Sequence, residues 1–425
     1  MSQRKSHTVV LHLHEDLEAL TMLTLARNYV AVRRAIGLRD DFQVKDIPSG
    51  APRAEDFPEL TAEQLTADGL AKAGYCGFDS GGGEFDQHGQ QALGHNNASS
   101  LELLMNKVNV VIGLAAGGIS PEARAEFEEI QAILTPFLKL VAENDLTAQD
   151  IAAKHDFKRS ATPHTPRHLR NVIHGWNLMF PDQPEEVRTR GCLLITCLIA
   201  VMEQNDAAGL GQPMPVNELM VLDNLVKAAA DLEVGFDLAS LIKELGEAGL
   251  RAMETAWQEG VRDYWHHDTF GFVAGDQQVV VGRSASPRFG AVCRLGNVGI
   301  FRHKRYIPRP YETRPERGKA DIVVQIFADG KFLISSRRAE LERVAAELRA
   351  RDLEKRGLQL TAADALTLSR RGDVKVQGHH TLYLAEHGKA VGNAFYSNPH
   401  MTPSPLTIDE IRDAITAGLG ESSSW

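Results

Sequence analysis

The sequence predicts an α/β fold: a parallel-sheet domain over residues 1–305 with a helical insertion at about 115–260, then a smaller α/β domain over 306–425. Three observations predict it. Thr8 to Leu13 is a short β-branched run followed at once by helical spacing from Glu15 to Arg34, the strand–turn–helix order of α/β sheets. The middle of the chain keeps a helical apolar period through several long stretches. After Gly271 the pattern turns to short runs rich in Val and Ile, with charged or capped helices between them.

In chain order, Leu17, Leu20, Leu23, Leu25 and Val30 can bury one face of the first helix. Asp46 to Asp68 holds three prolines and many acids and reads as loop with short helical pieces. Tyr75 to Asp79 is a brief strand that runs into Gly81-Gly82-Gly83. Asn97-Ala98-Ser99-Ser100 can cap a helix over Leu101–Leu114, and Pro121–Asp145 is another. Gly191–Glu203 is a strongly apolar helix, and Val216–Trp265 reads as two more. Strands are expected at Gln278–Gly282, Ala291–Leu295, Ile322–Phe327 and Phe332–Ser335, the last two joined at Asp329-Gly330. A charged helix at Arg338–Arg356, a strand near His380–Ala385 and a capped helix at Thr407–Ala417 complete the reading, with the domain boundary near residue 305.

The 425 residues are 43% apolar and 24% charged, ordinary for a globular protein of more than one domain. No run of 18 apolar residues exists, so no membrane partner is expected. No secretory signal is visible either, and the chain reads as cytoplasmic. Cys76, Cys192, Cys197 and Cys293 form no CxxC pair and read as buried free thiols. A net charge of −10 argues against non-specific coating of nucleic acid. It leaves room for a local basic track, and residues 302–319 hold seven basic residues against two acids, with Tyr306 and Tyr311 between them. Arg302, Lys304 and Arg305 open that track, where tyrosines can stack on bases while cations hold phosphates; a solvated linker is the plain alternative.

Two ligand-rich clusters follow apolar runs. The first is His12-Leu13-His14-Glu15-Asp16-Leu17-Glu18, whose His12, His14, Asp16 and Glu18 offer the mixed nitrogen/oxygen shell suited to manganese, magnesium or zinc. The same acids can instead complement a helix N-terminus. The second cluster places Asp79 before three glycines, which allow close backbone approach to a ligand, and then brings Asp86-Gln87-His88 seven residues later. Asp206 ends the apolar helix, where an acid matters only if a two-metal site needs a further carboxylate. His266-His267-Asp268 reads as a surface cap, and His164, Arg167, His168, Arg170 and His174 form a basic group in the helical region.

In their order and spacing these segments resemble the DHH phosphoesterase superfamily, as a divergent member closest to the metal-dependent hydrolases and exonucleases of the melanocyte-proliferating-gene type. The resemblance rests on Leu13-His14-Glu15-Asp16, Asp79-Ser80-Gly81-Gly82, Phe85-Asp86-Gln87-His88-Gly89 and Asn205-Asp206-Ala207-Ala208-Gly209, and covers about a quarter of the chain. It implies a pair of Mn²⁺ (or Mg²⁺) ions held by His12 or His14, Asp16, Asp79 and Asp206, with Glu18 and Asp86 in support. Asp79 would bridge, and His88 would touch the phosphate or the metal. Gln87 stands where the family has a histidine, a departure that weakens one metal position or assigns Gln87 to substrate. The resemblance also implies a second domain that binds substrate through a Gly-rich stretch similar to Gly388-Lys389-Ala390-Val391-Gly392, which makes His379, His380 and Lys389 candidates. Apart from the resemblance, Arg337 at the start of a charged helix can bind phosphate or simply be solvated. The expected function is hydrolysis of a phosphodiester in nucleic-acid ends, short oligonucleotides or nucleotides. The alternatives are a catalytically weak nucleotide- or nucleic-acid-binding protein and a small-molecule phosphatase or pyrophosphatase.

Overall fold

The computed structural model describes residues 6–13, 16–47, 54, 56–79, 84–85, 98–114, 119–151, 167–207, 214–232, 237–295, 300–302, 305–307, 320–336, 339–372, 374–385, 388–394 and 402–420. It divides into two compact units, Met1–Met253 and Glu254–Trp425.

The first unit begins with strand β1 (Ser6–His12), whose Val9, Val10 and Leu11 are all buried. Uninterrupted burial is what a central strand of a parallel sheet requires. Helix α1 (Leu17–Asn28) follows, started by Asp16, which accepts a hydrogen bond from the Ala19 N–H at 3.0 Å. Ten of its twelve residues are buried, including Thr21 and Thr24, whose hydroxyls donate to the Leu17 and Leu20 carbonyls. A helix covered on every side has no polar face to reveal its period.

The expected single helix from Glu15 to Arg34 is two helices. Tyr29 adopts an extended conformation that ends α1, and α2 (Val30–Ala35) restarts beyond it. Strand β2 (Leu38–Ile47) then lies in a stretch for which no strand was expected. Helix α3 (Ala67–Ala73) leads into β3 (Tyr75–Gly77) through Gly74, whose φ of +93° suits glycine. The sheet order is β2–β1–β3, parallel throughout, with Val10 opposite Gly77. Val9 and Leu11 face the large core shared with the helices, while Val10 faces a smaller cluster with Ile47, Phe57 and Leu70.

The rest of this unit is helical: α4 (Ser100–Gly113), α5 (Pro121–Ile151), α6 (Leu169–Met179), α7 (Pro184–Ala207), a single turn at Val216–Leu219, α8 (Leu222–Ala230) and most of α9 (Leu238–Tyr264). Ser99 caps α4 through a reciprocal pair, accepting from the Glu102 N–H while its own N–H donates to the Glu102 carboxylate. At Gly175 a Cβ would lie 1.8 Å from the Gly249 carbonyl oxygen, so only glycine lets α6 and α9 approach this closely.

The second unit opens well before the expected boundary at residue 305, because β4 (Phe270–Ala274) and β5 (Gln277–Arg283) belong to its sheet. The segment Ala291–Leu295, expected as a strand, is the end of helix α10 (Phe289–Leu295). Ser286 starts that turn: its hydroxyl accepts from the Arg288 N–H and its carbonyl from the Phe289 N–H. A short apolar run carries no period long enough to separate helix from strand, and here the cap decides. Strands β6 (Ile322–Ile326) and β7 (Phe332–Ser336) form the expected hairpin, with Gly330 at φ +80°. Helix α11 (Glu342–Lys355), β8 (Tyr383–Leu384), β9 (Ala390–Gly392) and α12 (Ile408–Leu419) follow. Thr407 caps α12 through a reciprocal pair with Glu410.

The six-stranded sheet runs β8–β9–β7–β6–β5–β4, antiparallel except for the β5–β6 pair. Val279, Val281, Ile322 and Val324 pack on one face with α11 and α12, while Val280 and Val323 pack on the other with α10 and Tyr264. The whole chain is therefore mixed α/β, with a three-stranded parallel sheet in one unit and a mixed sheet in the other. Among the described residues, no helix is long and apolar enough to cross a membrane.

Candidate metal centre

The site is built at the carboxyl ends of β1 and β3, where α/β sheets place their ligands. His12 is the last residue of β1, Asp16 caps α1 four residues on, and Asp79 lies just beyond β3. Parallel pairing of β1 with β3 sets the two strand ends side by side, so residues far apart in sequence converge. One ligand atom from each of His12, Asp16 and Asp79 lies within 4.8 Å of the other two. His12 Nε2 stands 3.5 Å from Asp79 Oδ2.

Asp79 is held tightly. Its φ is +51°, a left-handed conformation uncommon outside glycine. The Phe78 N–H donates to the Val10 carbonyl and the Asp79 N–H to the Phe85 carbonyl, both at 3.0 Å, and Phe78 pairs across to Phe85. These bonds and the edge-on packing of the two buried phenylalanine rings fix the turn. The Asp79 side chain is 7% exposed, and the Ser100 hydroxyl at the start of α4 donates to its Oδ1 at 2.8 Å.

Burial pushes the Asp79 carboxyl above its ordinary range, and the neighbouring Asp16 charge adds to the rise. His12 and the Ser100 hydroxyl oppose the shift without cancelling it. A buried carboxylate raised by desolvation and a like charge is stabilised as an anion by a cation beside it. The donor chemistry fits: one imidazole and two carboxylates suit a hard or borderline divalent ion. Only one Asp16 oxygen is bound to the Ala19 N–H, which leaves the other for a ligand.

The structure sends Glu18 elsewhere. It is 1% exposed, and Oε1 accepts from the Leu101 N–H at 2.7 Å, so its carboxylate serves the N-terminus of α4. Glu18 lies inside α1 while Asp16 caps it from an extended conformation, and among the described residues only Asp16 of the two joins the group at the strand ends. This role was not legible from the sequence, because Leu101 is 83 residues away. Ser100 was equally hidden: Ser99-Ser100 reads as a cap signal, which Ser99 satisfies, and nothing local marks Ser100 as a partner of Asp79.

His14, Asp86, Gln87 and His88 lie outside the described residues, as do Lys304 and Arg337. Asp206 lies in the last turn of α7, with only its backbone described. Arg302 and Arg305 pair across a short antiparallel ladder, Ile300–Arg302 with Arg305–Ile307. His379 and His380 are exposed in a two-residue ladder with Lys375–Val376, and Lys389 accepts the Ser336 N–H through its backbone carbonyl. Of the histidines in the helical region, His168 is a buried helix cap, while Arg167 is paired with Asp223 at 2.8 Å and with Glu247.

No protein-family model and no curated protein matches this chain. A solved structure described as an uncharacterized protein from Helicobacter pylori G27 aligns over 98% of this chain and 99% of its own, at 9% identity. Its TM-score is 0.26, at which the likeness carries no argument about fold or function.

Proposed function

We propose that this chain is a divalent-cation-dependent phosphoester hydrolase whose cation, Mn²⁺ or Mg²⁺, is held by His12, Asp16 and Asp79. The observation that carries the reading is the convergence of these side chains, with Asp79 buried, at the ends of two adjacent parallel strands. A bound cation there supplies Lewis acidity toward a phosphoryl oxygen and lowers the pKa of a bound water. The chain's own contribution is positional. Ser100 orients the Asp79 carboxylate, the N-capping bond orients Asp16, and the Phe78–Phe85 packing keeps the Asp79 turn rigid. Three protein donors leave coordination positions open for water and substrate. A second ion would draw its ligands from His14, Asp86, His88 or Asp206. Nucleic-acid ends or nucleotides remain the proposed substrates, through the basic track at Arg302, Lys304 and Arg305.

The engagement of Glu18 by α4 favours a second reading, a cation-dependent nucleotide-binding protein with little turnover. One experiment tests both. Mn²⁺ binding is measured by calorimetry and hydrolysis with bis(p-nitrophenyl) phosphate, in wild type and in Asp79→Asn. Mn²⁺ binding and turnover that both vanish in the variant support the hydrolase. Binding that vanishes with no turnover in wild type supports the binder. Unchanged Mn²⁺ binding in a folded Asp79→Asn overturns the site.

A further inference from the structure

A second group of ligand side chains lies in the second unit, outside the strand-end centre. His266, His267 and Asp268 follow α9, and one ligand atom from each lies within 4.8 Å of the others. We propose that they form a binding site for a late first-row divalent cation of the zinc type, completed by water or a small anion from the adjoining cavity.

The donor set differs from that of the first centre. Two imidazoles and one carboxylate favour zinc, nickel or copper over manganese or magnesium, which prefer oxygen. The spacing is close to that of a bound shell. Around zinc, ligand atoms at about 2.0–2.1 Å in tetrahedral array stand roughly 3.3 Å apart. Here His267 Nε2 lies 3.1 Å from Asp268 Oδ1 and His266 Nδ1 3.5 Å from the other oxygen, Oδ2, so the one carboxylate stands beside both imidazoles. The two imidazole rings are 4.2 Å apart at a tilt of 37°.

The turn that carries these residues is fixed at both ends. Tyr264 and Thr269 are buried; the Thr269 hydroxyl donates to the Asp263 carbonyl, and the Thr269 N–H to the His266 carbonyl. The His266 N–H donates to the Asp263 carbonyl as well. These bonds fix the backbone from which the three side chains project. The Asp268 N–H reaches His266 Nδ1 at 3.4 Å, a long bond that a metal ion can displace. All three side chains are open to solvent, so an ion can enter without unfolding the turn.

The position in the fold supplies the second argument. Asp268 also lines a cavity of about 320 Å³ with Gly282, Arg283, Ile326 and Ile408. Arg283 and Ile326 end β5 and β6, the one parallel pair of this sheet. The cavity therefore sits at the carboxyl ends of that parallel pair. Arg283 lines the same cavity, and its positive charge favours an anion as the exogenous ligand.

The test is zinc titration of the full chain by calorimetry, with circular dichroism as a check on the fold. In the Asp79→Asn background one equivalent of zinc should still bind. His267→Ala and Asp268→Asn, each in wild type, should weaken that event by about tenfold or more, since even loss of a supporting partner costs a metal site that much. The residues are exposed, so these variants keep the fold and Mn²⁺ binding at the first centre. Zinc affinity unchanged by His267→Ala, or binding that needs millimolar zinc, would make the cluster a surface cap and overturn the proposal.

Discussion

Replacing His168 with asparagine should remove a specific part of the protein's acid sensitivity. His168 caps α6 from a position only 1% exposed: its Nδ1 accepts from the Arg170 N–H at 3.1 Å. That bond requires an unprotonated Nδ1, and buried Nε2 meets no acceptor among the described residues. Burial, then the nearby Arg170 charge, lowers its pKa from 6.5 to about 4. The sign follows directly. Between those two values the unfolded chain binds a proton that the folded chain refuses, so stability falls as pH drops through the window and is fully present above it. At 1.36 kcal/mol per pKa unit, the loss reaches about 3 kcal/mol by pH 4. His168→Asn keeps a capping oxygen and removes the titration. Urea unfolding of both proteins between pH 7.5 and 4 checks it. The two stability curves should converge by about 3 kcal/mol as pH falls, whatever constant offset the substitution brings. Parallel curves over the whole range would refute the buried neutral imidazole.

Three further outcomes follow from the described contacts. Arg349 is fully buried in the second unit and donates to the carbonyls of Leu382, Leu368, Arg370 and Gly372 at 2.6–3.0 Å, so Arg349→Met, which strands those acceptors, should cost more than about 3 kcal/mol in urea unfolding. Ser100→Ala removes the hydroxyl that holds Asp79 Oδ1 and should weaken Mn²⁺ binding by about 10- to 100-fold in calorimetry, with a loss of stability near 1 kcal/mol. Burial pushes the Cys76 thiol up to about 12 and Cys197 up to about 11, so a thiol reagent at pH 8 should leave both unmodified until the chain unfolds, as peptide mapping would show.

Much of the fold was legible where the signal is local. The β-branched run before α1, the Ser99 and Thr407 caps and the Asp-Gly turn before β7 each depend on a few neighbouring residues, and each stands where the sequence puts it. Long-range pairing escaped the reading. In β2 the run that pairs with β1, Gln43-Val44-Lys45-Asp46-Ile47, shows no clean alternation, and it becomes a strand because β1 offers it a parallel partner. The boundary at residue 305 failed for the same reason, since β5 pairs with β6 some forty residues later and draws the preceding hairpin into the second unit.

At the candidate site the same distinction separates residue types from roles. His12, Asp16 and Asp79 could be named from their positions at strand ends, because that is where side chains of an α/β sheet have room to converge. Which acids converge could not. Asp16 and Glu18 carry the same charge within one helical turn, and the sequence gives no reason to prefer either. The choice is made by α4, whose first turn presents the Leu101 N–H to Glu18 and the Ser100 hydroxyl to Asp79. One helix N-terminus thus withdraws one carboxylate from the strand ends and orients another toward His12. In the sequence α4 is marked only as a capped helix, although its first turn supplies the contacts that sort the acids of the site.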